Sequence, residues 1–107
     1  MIQPDNWIII KIVDVDGFEY YKLLVSWMNE WKYRITRNIS DYYEDEDDLY
    51  FISMSGATYR CDRNGYGASN FVEGPIKYYA SKFDGQFIPL TEMEAYKVVM
   101  NRLWRKQ

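Results

Sequence analysis

The single cysteine of the chain, Cys61, is the first residue to consider for chemistry, and the chain contains no histidine. A cysteine nucleophile needs a nearby base or cation that lowers the pKa of its thiol, and histidine is the usual base near neutral pH. Arg60 and Arg63 are close in sequence, but Cys61 stands near the end of an apparent strand, where a cysteine is typically a small core residue. We therefore predict that Cys61 is structural, and no intrachain disulfide is available to it.

Six carboxylates lie within residues 41–48, which read DYYEDEDD. Paired carboxylates serve as acid and base or bind a divalent cation, but both tasks require a fixed geometry. Because like charges at this density repel one another, the run is predicted to be a solvated loop between two strands. The sequence thus predicts no metal site, no cofactor and no enzymatic activity. An acidic loop suits a basic partner instead, and the candidate partner-binding residues are Glu44, Asp45, Glu46, Asp47 and Asp48.

Aromatic and basic residues alternate over residues 31–34 and meet again at 59–60. Rings that stack on bases beside cations that contact phosphates are typical of proteins that bind single strands. Alternation, however, predicts that Trp31, Tyr33 and Ile35 face the core, and the acidic run nearby would repel a phosphate backbone. We therefore expect no nucleic-acid partner. The same residue types suit a nucleotide-like ligand in a pocket or dimer groove, with candidate residues Trp31, Arg34, Tyr59, Arg60 and Tyr66.

The length, composition and charge of the chain limit the kinds of protein to which it can belong. It has 107 residues, of which 48% are hydrophobic and 19% aromatic, and its formal net charge is −3. These values are typical of one domain with a packed core, so we predict a single domain over residues 1–107. No basic field attracts nucleic acid or anionic lipid. The apolar run at residues 7–10 is too short for a signal sequence or a membrane span, so we expect a cytoplasmic protein.

Runs rich in β-branched and aromatic residues, separated by turn residues, predict a β-rich fold. Two hairpins are the clearest: one around Asp14–Gly17, and a central one around Ser55 and Gly56 with apolar residues on both faces. Between them, residues 31–37 are predicted to form a half-buried strand. Residues 76–83 and 86–90 are predicted to form a last hairpin with Pro89 at a sheet edge, and a short helix opened by Pro75 is the alternative for 76–83.

The C-terminal segment is predicted to be a helix. Thr91 and Glu94 have the spacing of a capping box. Tyr96, Val99, Met100 and Leu103 then form one apolar stripe, which Met93 extends by a turn. The predicted fold is α+β: a small curled antiparallel sheet or partly open barrel of five to seven strands, with the C-terminal helix packed on it.

Several segments of the first two thirds of the chain carry a family resemblance: WIIIKI at 7–12, YKLL at 21–24 with SW at 26–27, residues 31–39, YF at 50–51 leading into SGATYRC at 55–61, and Tyr66 with Gly67. Over roughly residues 5–67 the chain resembles small uncharacterised proteins encoded by tailed bacteriophages. The shared motif consists of strands and turns, so it transfers no functional residue. The resemblance implies a phage origin and expression in the cytoplasm of a bacterial host.

These observations lead to two functional hypotheses. We expect a small phage accessory protein that binds and modulates a host or phage macromolecule, for example to counter a host defence system. The alternative is a protein that binds a small, nucleotide-like ligand. The aromatic content is compatible with a homodimer in either case.

Overall fold

In the computed structural model, which describes residues 1–106, the chain forms seven strands, two α-helices and three short 3₁₀ helices. The strands are β1 Asn6–Val13, β2 Glu19–Trp27, β3 Lys32–Ile35, β4 Ile39–Glu44, β5 Asp48–Ser53, β6 Thr58–Asp62 and β7 Gln86–Pro89. The helices are α1 Glu73–Lys82 and α2 Glu92–Asn101, and the 3₁₀ helices are Arg63–Gly65, Asn70–Val72 and Leu103–Lys106. The α+β class and the C-terminal helix packed on strands are confirmed.

The strands divide between two antiparallel sheets rather than forming one. The first sheet has the order β3-β2-β1-β7 and the second the order β4-β5-β6. Both clear hairpins are confirmed, since β1 pairs with β2 and β5 pairs with β6. Gly56 has a φ of 88° in the turn between β5 and β6, a backbone conformation that glycine adopts without steric cost. The N-terminal segment joins the sheets, because Ile2 exchanges backbone hydrogen bonds with Thr58 and Arg60 of β6 and the Asp5 N–H donates to the Ser26 carbonyl of β2.

The β1 strand is buried on both faces, which explains its nearly continuous run of branched side chains. Trp7 and Ile9 belong to a core between the two sheets and α2, where they meet Phe51 of β5. Ile8 and Ile10 point the other way, into a second core. The two alternating sets thus assign one core to each side of the strand.

The second core is covered by a helix where a strand was predicted. The predicted strand at residues 76–83 is wrong, because residues 76–82 lie in α1, in agreement with the alternative of a short helix opened by Pro75. Pro75 stands in the first turn of the helix, where its fixed φ suits helical geometry. Ile76 packs on the Ile8 and Ile10 face, and the Tyr79 ring stacks at 6.4 Å from that of Phe87 in β7. β7 pairs with β1 at the sheet edge, which is where Pro89 was predicted.

Two predictions of buried faces are confirmed only in part. The capping box of α2 is confirmed by both of its hydrogen bonds, between Thr91 and Glu94. The buried face of the helix, however, carries Ala95, Val98 and Val99, so only Val99 of the predicted helical stripe is fully buried. Of the face predicted for residues 31–35, Tyr33 and Ile35 are half-buried against the second core. Trp31 is instead 76% exposed and lies in the turn before β3 with a φ of 50°.

Candidate functional site

The acidic run is part of a β-hairpin, so the predicted loop over residues 41–48 is wrong. β4 continues to Glu44 and β5 begins at Asp48, and Glu44 pairs with Leu49. Aromatic pairs across these strands oppose the charge repulsion: Tyr42 lies 5.2 Å from Phe51 and Tyr43 stacks on Tyr50 at 4.5 Å between ring centroids. The hairpin is therefore held by its tyrosines.

Asp45 organises the tip of the hairpin, which we define as residues 45–47. Its Oδ1 accepts hydrogen bonds from the backbone N–H groups of Asp47 at 3.0 Å and Asp48 at 2.8 Å. Its Oδ2 accepts one from the Tyr50 hydroxyl at 2.8 Å. The Tyr50 hydrogen bond is the main reason that the pKa of Asp45 is lowered, and the Asp48 N–H adds to it. The Asp45 carboxylate is thus committed to the turn.

Two arginines neutralise part of the acidic run. Arg60 Nε lies 2.7 Å from Asp48 Oδ2, and the Asp48 side chain is largely buried. Arg63 Nη2 donates to Glu44 Oε2 at 3.1 Å and to the Asp45 carbonyl at 2.6 Å, while its Nε donates to the Glu46 carbonyl at 3.1 Å. The hydrogen bond from the Tyr42 hydroxyl is the main reason that the pKa of Glu44 is lowered, and the hydrogen bond from Arg63 adds to it. Charge-assisted contacts of this kind are stronger than neutral ones.

The five candidate partner-binding residues therefore fall into two groups. Glu44, Asp45 and Asp48 are engaged in hydrogen bonds and ion pairs that shape the hairpin. Glu46 and Asp47 are exposed, and their carboxylates make no hydrogen bond or salt bridge with the described part of the chain. Sequence alone did not separate the groups, because the separation depends on arginines 12 to 19 residues away.

An apolar cavity of about 120 Å³ lies between α2 and the strands beside this hairpin. Its apolar lining comes from both sheets and the helix: Trp7, Tyr42, Leu49, Tyr66, Ala95 and Val99. The exposed residues of its lining are Glu44, Arg63, Glu92, Tyr96 and Met100, so we place them at its opening. Large apolar side chains thus border the cavity on the solvent side as well.

The exposed face of α2 carries the residues that the sequence had assigned to the core. Met93, Tyr96 and Met100 are 72%, 62% and 61% exposed. They follow one another at i, i+3 and i+7, which places them along one side of the helix. We call these three residues the α2 stripe. An apolar stripe beside an open cavity is typical of an interaction surface.

The five candidate ligand residues are spread over the molecule. Tyr59 is buried, and its hydroxyl accepts a hydrogen bond from Arg34 Nη1 at 3.3 Å. Arg60, next in sequence, turns to Asp48, and Tyr66 lines the cavity beside α2. Trp31 contacts Phe71, with 5.6 Å between ring centroids. The structure thus brings Arg34 and Tyr59 together but does not assemble the five residues around one pocket.

Other features of the described chain bear on specific chemistries. Cys61 is fully buried, and burial raises the pKa of its thiol. Within residues 1–106 no three acidic or cysteine side chains are placed to hold a metal ion. Neither α-helix of the described chain has the length and apolar content needed to cross a membrane.

Comparisons of the sequence with protein-family models and curated proteins, and of the fold with solved structures, find no match.

Proposed function

We propose that this protein is a small accessory protein that binds and modulates a host or phage macromolecule, with the tip of the β4–β5 hairpin as a contact surface. The observation that carries the proposal is that Glu46 and Asp47 are exposed on a turn whose backbone is held by Asp45 and Arg63. Because the backbone of the turn is already held, binding costs less conformational entropy there than it would on an unstructured loop. Exposed carboxylates also steer a basic partner during encounter.

The nature of the partner follows from charge and from the family resemblance. With a net charge of −3, the chain favours a basic protein over a nucleic acid. The resemblance of residues 5–67 to small phage proteins favours a partner in the cytoplasm of a bacterial host, and countering a host defence system is one way to modulate it. Recognition by surface charge requires no cofactor.

The test is capture from bacterial lysate on the immobilised full chain. We expect a defined protein to be retained by the wild type and lost when Glu46→Lys is combined with Asp47→Lys. The matched control combines Asp16→Lys with Glu30→Lys, which makes the same charge change at two exposed turn positions and should retain the partner. Retention of no specific protein, or equal loss with both pairs, would count against the proposal.

The alternative, a nucleotide-like ligand, has less support. Its five candidate residues do not surround one pocket: Tyr66 lines the apolar cavity, whereas Arg60 lines a separate polar cleft of about 510 Å³. That cleft also contains Asp5, Asp47, Asp48 and Asp62, whose carboxylates disfavour a phosphate-bearing ligand. A thermal shift on addition of nucleotides would restore this alternative.

A further inference from the structure

The cavity and the hairpin tip belong to one continuous surface, because Arg63 contacts both. Arg63 lines the cavity, and its guanidinium group also bonds the backbone carbonyls of Asp45 and Glu46 in the tip. A ligand bound at the opening of the cavity is therefore separated from the acidic tip by no more than the Arg63 side chain.

The size of the cavity limits what enters it. An apolar cavity of about 150 Å³ binds benzene in a well-studied case, so one of about 120 Å³ suits a single aliphatic or small aromatic group. Its inner lining of Trp7, Leu49, Ala95 and Val99 offers apolar contacts. The group that fits is thus the size of one amino-acid side chain.

The opening offers apolar surface for more than one contact. Tyr96 and Met100 border the cavity, and Met93 continues the α2 stripe one turn earlier. All three are exposed in the free protein, so a ligand whose central side chain enters the cavity covers them with its flanking residues. Interfaces commonly place an apolar anchor in a central pocket in this way.

The charge around the opening selects a basic ligand. Glu92 at the opening and Glu46 and Asp47 at the tip form no salt bridge with the described part of the chain. The arginines of this surface are already engaged: Arg63 binds Glu44, and Arg102 donates to the Val99 carbonyl at 2.7 Å while it covers the Tyr42 ring. Lys97 is exposed on α2, but the three carboxylates outnumber it, so the charge that remains is negative.

We infer that this surface binds a basic segment of a partner protein, which inserts one aliphatic or aromatic side chain into the cavity while its lysines or arginines contact Glu92, Glu46 and Asp47. The inference rests on the proposed function and names the chemistry of the partner. It also extends the contact from the hairpin tip to the α2 stripe.

Two peptides test it against the full chain labelled with ¹⁵N. The first is acetyl-Lys-Arg-Lys-Leu-Lys-Arg-Lys-amide, and the second has serine in place of leucine. We expect the leucine peptide to shift the amide signals of Ala95, Tyr96 and Val99 and to bind at least about tenfold more tightly, since burial of a leucine side chain is worth at least that factor. Equal affinities, shifts confined to other surfaces, or no shift at millimolar peptide would overturn the inference.

Two double variants distinguish binding at the α2 stripe from nonspecific binding to exposed apolar side chains. Tyr96→Ser with Met100→Ser changes exposed side chains, so we expect the fold to persist and the affinity for the leucine peptide to fall to that for the serine peptide. The control, Tyr78→Ser with Met54→Ser, removes the same residue types from exposed sites elsewhere and should bind like the wild type. Equal behaviour of the two pairs would overturn the inference.

Two further outcomes distinguish this inference from the proposed function. If the lysate partner is retained equally by the wild type and by the Tyr96→Ser, Met100→Ser pair, and the leucine peptide does not bind, the accessory function stands and the basic-segment site is wrong. If sedimentation shows a dimer that the same pair dissociates, the α2 stripe binds a second copy of the chain, and the inference is wrong in its occupant.

Discussion

The hydroxyl group of Tyr66 donates a hydrogen bond to the backbone carbonyl of Leu90 at 2.8 Å. The same oxygen accepts a hydrogen bond from the backbone N–H of Ile9 at 3.1 Å. Tyr66 follows β6 of the three-stranded sheet, whereas Ile9 and Leu90 lie in and just after strands of the four-stranded sheet. One tyrosine thus joins the two sheets beneath the cavity.

Replacement of Tyr66 by phenylalanine is expected to lower the free energy of unfolding by about 1–3 kcal/mol, because the buried Ile9 N–H loses its partner. Urea unfolding followed by tryptophan fluorescence measures the change. Tyr96→Phe is the control, since its ring is exposed and the expected change stays within about 0.5 kcal/mol. Equal effects of the two substitutions would show that the Tyr66 hydroxyl contributes nothing specific.

Alkaline pH should weaken the fold through the same residue. Burial raises the pKa of Tyr66 to about 12, above its ordinary value of 10.0. The unfolded chain therefore loses this proton first, so the stabilisation is complete below pH 10 and is lost as pH rises from 10 towards 12. We expect Tyr66→Phe to lose less stability than the wild type over this interval in parallel urea titrations. Parallel curves would contradict the prediction.

Asp45 and Glu46 should differ sharply although they are adjacent carboxylates. Asp45→Ala removes three hydrogen bonds that hold the tip and should lower the urea midpoint. Glu46→Ala removes a free charge and should leave that midpoint unchanged or slightly higher, because repulsion within the run decreases. Since the pKa of Asp45 is lowered in the fold, its contribution is present near neutral pH and is lost as pH falls towards that pKa. Similar midpoints for both variants would contradict this division.

Local patterns predicted the parts of the fold that depend on local interactions. The turns of the β1–β2 and β5–β6 hairpins and the Thr91 cap are determined by residues that are neighbours in sequence, and these three predictions are confirmed. The face of α2 was mispredicted because apolar residues occur on two of its sides. Helical spacing assigned Tyr96 and Met100 to the core, yet the helix packs through the smaller Ala95 and Val98.

The sequence predicted the candidate site only in part, because the site depends on contacts between segments that are distant in sequence. Charge density marked residues 41–48, but the roles of its members depend on Tyr50, Arg60 and Arg63 from other segments. The cavity was not predicted, because its lining residues range from Trp7 to Met100 and meet only in the folded chain. The periodicity of side chains within one helix or strand does not predict contacts between such distant segments.

Trp31 provides the last test, because its backbone conformation disfavours a side chain of its kind. It closes the four-residue turn between β2 and β3 with a φ of 50°, and its N–H donates to the Met28 carbonyl at 3.3 Å. A left-handed conformation costs a non-glycine residue roughly 1–2 kcal/mol, and the exposed ring recovers part of this through its contact with Phe71. We therefore expect Trp31→Gly to raise the free energy of unfolding by about 0.5–1 kcal/mol in urea titrations.

Met28→Gly in the same turn is the control for Trp31→Gly. Met28 does not have a positive φ, so glycine there gains no relief and should lower the free energy of unfolding. A loss of more than about 1 kcal/mol in Trp31→Gly would show that the Phe71 contact outweighs the backbone cost. Because Trp31 is also a candidate ligand residue, a Trp31→Gly variant of unchanged or higher stability separates binding from folding: any ligand affinity that it lacks depends on the indole ring itself.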